Sequence, residues 1–261
     1  MRIKKNFFLV LMIFMVFCFG LFAQQPETPA AKQEEKSVDI DFSVGLNLAF
    51  NSASVKLDGT DAVNTLEYSY LGLQIDAALF DFLTLGLVAG YNSNTLKELV
   101  DFSQLPLSLR AGGERFNSMM IGLRANADLF SWQDFSFAPE CEILLFKKFK
   151  KQLTIQLPIA TGSADLKNSF TQISLDLLVR YDGFSNFTLF AGPHLNLISG
   201  TITAVETIEG LEGEQSIGYS QEKAFGFTAG IFYELGDHLD ISAKLTLLAK
   251  TSLSVTLYYI F

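Results

Sequence analysis

VDIDFSVGLNLAF, residues 38–50, separates into two faces. Val38, Ile40, Phe42, Val44, Leu46, Leu48 and Phe50 fall on one side; Asp39, Asp41, Ser43, Gly45, Asn47 and Ala49 fall on the other. Alternation with a period of two is the mark of a β-strand. Separation this complete suits a wall with lipid on one face and water on the other. The pattern returns at 71–79, 83–91, 119–129, 135–145, 173–181, 187–197, 225–235, 239–247 and 253–261. Most of these segments have the ~9–11 residues that a tilted strand needs to cross a bilayer. After the first 22 residues, no run approaches the ~18 apolar residues of a membrane helix. The expected fold is therefore all-β: an up-and-down antiparallel transmembrane β-barrel of about ten strands.

Short connections near Asp81 and at 132–134, 182–186 and 236–237 alternate with longer ones at 51–65, 92–114, 147–169 and 199–222. Outer-membrane barrels have short periplasmic turns and longer outer loops, which orients the chain. The last outer connection, 248–252, is short and is the weakest junction in the count; read as one continuous strand it would make the number odd, which single-chain bacterial barrels avoid. Eight strands is the alternative count. Phe82, Phe130, Trp132, Phe135, Phe187, Tyr233, Tyr259 and Phe261 are expected to form a periplasmic aromatic girdle. Phe50, Tyr91, Phe116, Phe170 and Phe225 are expected to form an outer one. Pro139 and Pro193 fall on the lipid face, where each predicts a local bulge.

The N-terminal segment reads as an export signal. Arg2, Lys4 and Lys5 precede an apolar run to Phe22, and Ala23 precedes Gln24 and Gln25. This predicts a signal peptide over 1–23, a polar periplasmic linker over 24–36 and a barrel over 37–261. Removing those three positive charges takes the net charge from -9 to about -12, which argues against nucleic-acid binding. Cys18 would leave with the signal, so Cys141 stands alone and no intramolecular disulfide is expected.

At the other end, Leu253, Val255, Leu257, Tyr259 and Phe261 alternate with Ser254, Thr256, Tyr258 and Ile260. A final strand with apolar residues at every second position, closing on Phe, resembles the bacterial outer-membrane barrels, the group that contains OmpA- and OmpX-like domains. The resemblance covers residues 38 to 261 and rests on general marks. It implies a Gram-negative-type cell envelope. It also implies that periplasmic chaperones escort the chain, that the insertion machinery reads those five residues, and that the barrel contacts outer-membrane lipids and glycolipids. It does not imply the wall-tethering role of OmpA itself.

With the polar face inward, Asp39, Asp41, Asp76, Asp128, Glu140, Glu142, Asp176, Glu234 and Asp240 face Arg124, Arg180 and Lys244. Arg124, Glu140, Asp176 and Lys244 fall at similar depth, so these four, with Glu142 and His194, are the candidate lumen constriction. Two readings stand side by side. One is a narrow, porin-like, cation-preferring passage for small solutes; the other is a salt-bridged plug. A different class of function, surface binding or adhesion through loops 92–114 and 199–222, is the alternative. Lys147, Lys148, Lys150 and Lys151 are candidates for contact with glycolipid phosphates.

An enzyme is not expected. An outer-leaflet lipid-modifying enzyme or protease needs a base with partners at the outer rim. The two histidines are His194, which lacks an evident Asp or Ser partner in sequence, and His238, which sits beside a periplasmic turn. No cofactor or metal site is expected from this residue set. The oligomeric state is left open.

Overall fold

The computed structural model describes residues 40–79, 82–105, 109–148, 151–156, 161–208 and 211–261. The expected signal peptide and linker, Asp39, and the turn at Asp81 lie outside them. All described elements are strands. They are β1 (Ile40–Leu57), β2 (Val63–Leu79), β3 (Leu83–Leu96), β4 (Val100–Phe102), β5 (Leu109–Ala111), β6 (Arg115–Ala127), β7 (Phe130–Trp132) and β8 (Phe135–Lys148), followed by β9 (Lys151–Gln156), β10 (Thr161–Tyr181), β11 (Phe187–Ile208), β12 (Leu211–Gln221), β13 (Phe225–Glu234), β14 (Leu239–Leu247) and β15 (Thr251–Ile260).

Ten of these form an antiparallel ring in the order β1, β2, β3, β6, β8, β10, β11, β13, β14, β15. The ring closes where β15 pairs with β1, from Ser43↔Ile260 to Ser52↔Thr251. Closure joins the two ends of this run, so each of the ten strands has a partner on both sides.

A second ring shares seven of these strands. Above its pairing with β13, β11 pairs with β12 from Ser199↔Ser220 to Ile208↔Leu211. The far side of β12 meets β1 at Val55↔Gln221 and Leu57↔Tyr219. One strand here takes the place of three, so the wall has ten strands towards the short turns and eight towards the other end. The expected ten strands are present; the narrower ring arises because part of 199–222, expected as a loop, is strand β12. The β14–β15 hairpin is a wedge that stops beneath β12. Its tip turns within very few residues, with Leu248 at φ 75 and Ala249 N donating to Leu247 O. A branched residue at positive φ costs on the order of 1–3 kcal/mol, which neighbouring contacts must offset.

The strands are too long to lie wholly in a membrane. β11 has 22 residues and β10 has 21; even tilted by ~45° such strands rise about 50 Å, well past the ~30 Å hydrocarbon layer. The side chains show where the apolar outward face ends. Leu71, Leu73 and Ile75 on the outward face of β2 are exposed. Further up the same face come Ser69, Glu67 and Thr65, while Tyr70, Tyr68 and Leu66 are buried inside. On β1 the outward series Leu46, Leu48, Phe50 gives way to Ser52, Ser54, Lys56, and the inward series becomes Ala53, Val55, Leu57. β10 changes likewise, from outward Leu177 and Val179 to Lys167 and Ser163, with Phe170, Leu166 and Ala164 buried. The ten-stranded half is apolar outside and polar inside. The eight-stranded half is the reverse, with an apolar core like that of a water-soluble barrel.

Several sequence expectations change accordingly. The segments 51–65, 147–169 and 199–222 are largely wall rather than loop, because their alternation continues with inverted polarity. In 92–114, the β4–β5 hairpin folds inward and adds the buried Val100, Phe102, Leu105 and Ala111 to the core. Phe50, Tyr91 and Phe225 are exposed as expected of an outer girdle, but Phe116 and Phe170 are buried in the core. A bulge lies opposite Pro139 rather than on its own strand: β6–β8 pairing ends at Asn126↔Glu140 and β7 resumes one residue out of step at Phe130↔Phe137, the extra residue falling within 127–129. At Pro193 it is absent. The register is the same at Asp176↔His194 and Val179↔Ala191, and the ladder only omits the intervening pairs. There Gly192 lets the strands close in, since a Cβ would lie 2.0 Å from Leu177 O.

Candidate functional site

The polar face of the ten-stranded half encloses a cavity of about 570 Å³. It opens at the turn end between the exposed Asp41, Asp128, Asp182 and Glu234. Its inner end is lined by Asn51, Tyr70, Glu142, Ser174, Lys250 and Ser252. Above that level the bore is filled. Phe146 stacks on Phe170 with centroids 4.1 Å apart, and Tyr68 meets Phe170 edge-on at 5.2 Å. Beyond them lie the apolar core and the β4–β5 hairpin.

A hydrogen-bonded layer marks the boundary between the halves. Tyr68 Oη donates to Gln172 Oε1 (2.5 Å), Gln172 Nε2 to Ser174 Oγ (2.8 Å) and Ser174 Oγ to Asn196 Oδ1 (3.0 Å). Asn196 Nδ2 donates to Gln221 Oε1 (2.6 Å), and Gln221 Nε2 reaches Ala249 O (2.8 Å) and Lys223 O (2.7 Å). Gln221 thus ties the wedge tip to the seam where eight strands become ten, satisfying a carbonyl that lipid would leave unpaired. Higher up, Tyr219, Asn168, Asn94, Asn92 and Ser118 form a second chain across the bore. Buried amides are tolerated inside an apolar core when they pair in this way.

Five of the six predicted constriction residues form one connected chain across the cavity. Arg124 Nε lies 3.2 Å from Glu140, Lys244 Nζ 3.4 Å from Glu140 and 2.6 Å from Asp176, and His194 Nδ1 2.6 Å from Asp176. Arg124 also donates to Tyr258 Oη at 2.6 Å. Gly86 makes room for this arrangement: it lies between Asp76 and Arg124 in register, and a Cβ there would meet Asp76 Oδ1 at 2.0 Å. Glu142, opposite Arg124 on the neighbouring strand, lines the inner end with Lys250.

Sequence reasoning missed the Asp176–His194 partnership, which only the β10–β11 register reveals, and the inward direction of Lys250. It also missed Tyr258 as a hydrogen-bond partner. The lysine cluster is described only in part. Lys147 is exposed on β8, Lys151 is paired with Glu114, and Lys150 and the Lys148 side chain lie outside the described residues. In the terminal strand, Leu253, Val255, Leu257, Tyr259 and Phe261 are all exposed on the apolar face, and Phe261 N donates to Phe42 O at 3.1 Å.

No protein-family profile matches the chain, and no curated protein does. Solved structures of similar shape include the translocator domain of the autotransporter NalP from Neisseria meningitidis (TM-score 0.44, 11% identity, covering 87% of this chain and 90% of that one). Another is the outer-membrane protease OmpT from Escherichia coli (0.38, 9%, 90% and 100%). A third is the outer-membrane protein AlkL in lipid bilayers (0.37, 11%, 91% and 97%). The likeness is to small outer-membrane β-barrels. It extends to the fold alone, because folds of this kind host unrelated functions.

Proposed function

We propose that the protein lies in the outer membrane with its short turns in the periplasm, as a barrel closed to through-flow. Its eight-stranded half would stand above the membrane as a rigid surface for binding. The observation that carries this reading is the filled bore: Tyr68, Phe146 and Phe170 block it above the cavity, and the β4–β5 hairpin packs beyond them. A side-chain-filled interior is common in barrels this narrow. The outward wall of the upper half presents Ser, Thr, Lys and Glu side chains, among them Ser54, Lys56, Glu67, Lys167, Glu212 and Glu214, a surface suited to a polar partner. On this reading the terminal strand is the feature read by the insertion machinery, and Lys147 sits where a glycolipid phosphate would meet the wall.

A second reading keeps a cation-preferring passage. Its support is the charge of the cavity, where nine acids face four Lys and Arg side chains. Planar-bilayer recording of the refolded chain separates the two. The closed reading predicts a protein that inserts without conductance steps, including after residues 99–112 are replaced by a short turn, because the aromatic block belongs to the wall. Cation-selective steps from the wild type would overturn it. Steps seen only after the replacement would make the hairpin a gate and establish the passage. We assign no catalytic role: His194 is oriented by Asp176, but the neighbouring Ser174 hydroxyl is engaged with Asn196.

A further inference from the structure

At the inner end of the cavity, some polar side chains are held by the wall and others are not. Ser252 Oγ donates to Asn51 Oδ1 at 2.8 Å, Asn51 Nδ2 donates to Tyr68 O, and Ser174 sits between Gln172 and Asn196. The Lys250 ammonium, the Glu142 carboxylate and the Tyr70 hydroxyl line the same space. They make no hydrogen bond or ion pair among the described residues. Lys250 is 8% and Tyr70 7% exposed, so both are more than nine-tenths buried, yet neither polar tip is sealed from the cavity.

A buried charge without a counter-charge is costly. Nearer the turn end the charges meet this cost by pairing, Arg124 and Lys244 with Glu140 and Asp176. At the inner end a cation and an anion stand near one another without joining. Of the charges around Lys250, that of Glu142 acts on it most strongly, but the two form no ion pair.

The chemistry of this gap selects its occupant. Lys250 and the Tyr70 hydroxyl offer donors to an anionic oxygen, and Glu142 offers acceptors to an ammonium. A simple anion is opposed on entry by the exposed Asp41, Asp128, Asp182 and Glu234 at the turn end. A simple cation would satisfy Glu142 and leave Lys250 without a counter-charge. A zwitterion serves both groups and carries no net charge past the mouth. We infer that the inner end of the cavity binds a small amino-acid-like zwitterion, its carboxylate on Lys250 and Tyr70 and its ammonium on Glu142. A cavity of about 570 Å³ has room for it. The site lies beneath the aromatic block and does not depend on what the upper half binds.

The test is calorimetric titration of the full chain, refolded in detergent micelles, with glycine, β-alanine and 4-aminobutyrate, which differ in the spacing of their two charges. At least one is expected to bind at a single saturable site. Acetate and methylamine, which carry one charge each, should bind about tenfold more weakly. Lys250→Met and Glu142→Gln should each weaken binding by about tenfold through loss of a charge-assisted pair, while Lys147→Met on the outward wall should leave it unchanged. Lys250→Met should also keep the urea midpoint of the wild type or raise it, because it removes a charge with no partner in the wall. The assignment is overturned if none of these zwitterions binds saturably, or if acetate or methylamine alone binds as tightly. It is overturned equally if Lys250→Met and Glu142→Gln, each shown to be folded by heat-dependent gel mobility, bind like the wild type. A lowered midpoint in Lys250→Met would overturn it as well, by showing that Lys250 has a structural partner.

Discussion

Leu73 and Ser69 lie on the same outward face of β2, on opposite sides of the boundary between the two halves of the barrel. Below that boundary the wall turns its apolar residues outward and gathers Arg124, Glu140, Asp176 and Lys244 inside; above it, Ser, Thr and charged residues face out while Leu66, Tyr68 and Leu166 pack within. The backbone ladder runs through without a break, from Ile40↔Leu79 to Lys56↔Val63 between β1 and β2. Secondary structure here does not depend on which solvent a face meets. The period of two sets the strand, and the sign of the alternation sets its surroundings.

The largest effect that could break this comparison lies in the upper core. Phe146→Ala removes a ring stacked on Phe170 and edge-on to Tyr68; it should cost about 3–5 kcal/mol in urea unfolding, as in a soluble core. An unchanged midpoint would mean that the upper half is not a packed core. Placing arginine on each outward face sharpens the contrast. Leu73→Arg should cost about 2–4 kcal/mol because it faces the hydrocarbon layer, whereas Ser69→Arg should stay within about 0.5 kcal/mol. Equal costs would erase the boundary drawn between them.

A smaller effect is expected in the cavity. Asp176→Asn leaves Lys244 with Glu140 and weakens the His194 contact, so a loss of about 1–3 kcal/mol is expected. A double-mutant cycle with Lys244→Gln should show that the two losses are not additive; simple additivity would argue against a shared network. The smallest effect belongs to the exposed end of the β1–β2 hairpin, where Lys56 Nζ meets Asp61 at 2.8 Å. Its hydrogen bond holds the Asp61 carboxyl below its ordinary value. The pair is present above that range and is lost as pH falls through the depressed pKa. Being fully in water, it should leave the unfolding midpoint of Asp61→Asn indistinguishable from the wild type.

The ten-stranded half was legible in the sequence because apolar residues at every second position are conspicuous when they face outward over a whole strand. The upper half was not. Ala53, Val55 and Leu57 interleaved with Ser52, Ser54 and Lys56 have the same period, but mixed with turns and small residues they read as loop. Phe116 and Phe170 read as girdle residues for the same reason: an aromatic near the edge of the apolar face points outward or into the core depending on which side of the inversion it falls. In the cavity, the common depth of Arg124, Glu140, Asp176 and Lys244 followed from counting residues up from the turns. The contact of His194 with Asp176 did not, because it depends on the pairing of two strands. Lys250 escaped because its direction is set by the tight tip at Leu248.

The measurement that tests the inversion most directly is labelling of single cysteines along the outward face of β2 in intact cells, on a Cys141→Ser background, with a maleimide that does not cross membranes. Glu67→Cys and Ser69→Cys are predicted to label from outside, and Leu71→Cys and Leu73→Cys to stay protected until the membrane is dissolved. Protection of all four positions would place the upper half within the membrane or on its periplasmic side and contradict the account; labelling of Leu71→Cys and Leu73→Cys would remove the lipid face itself.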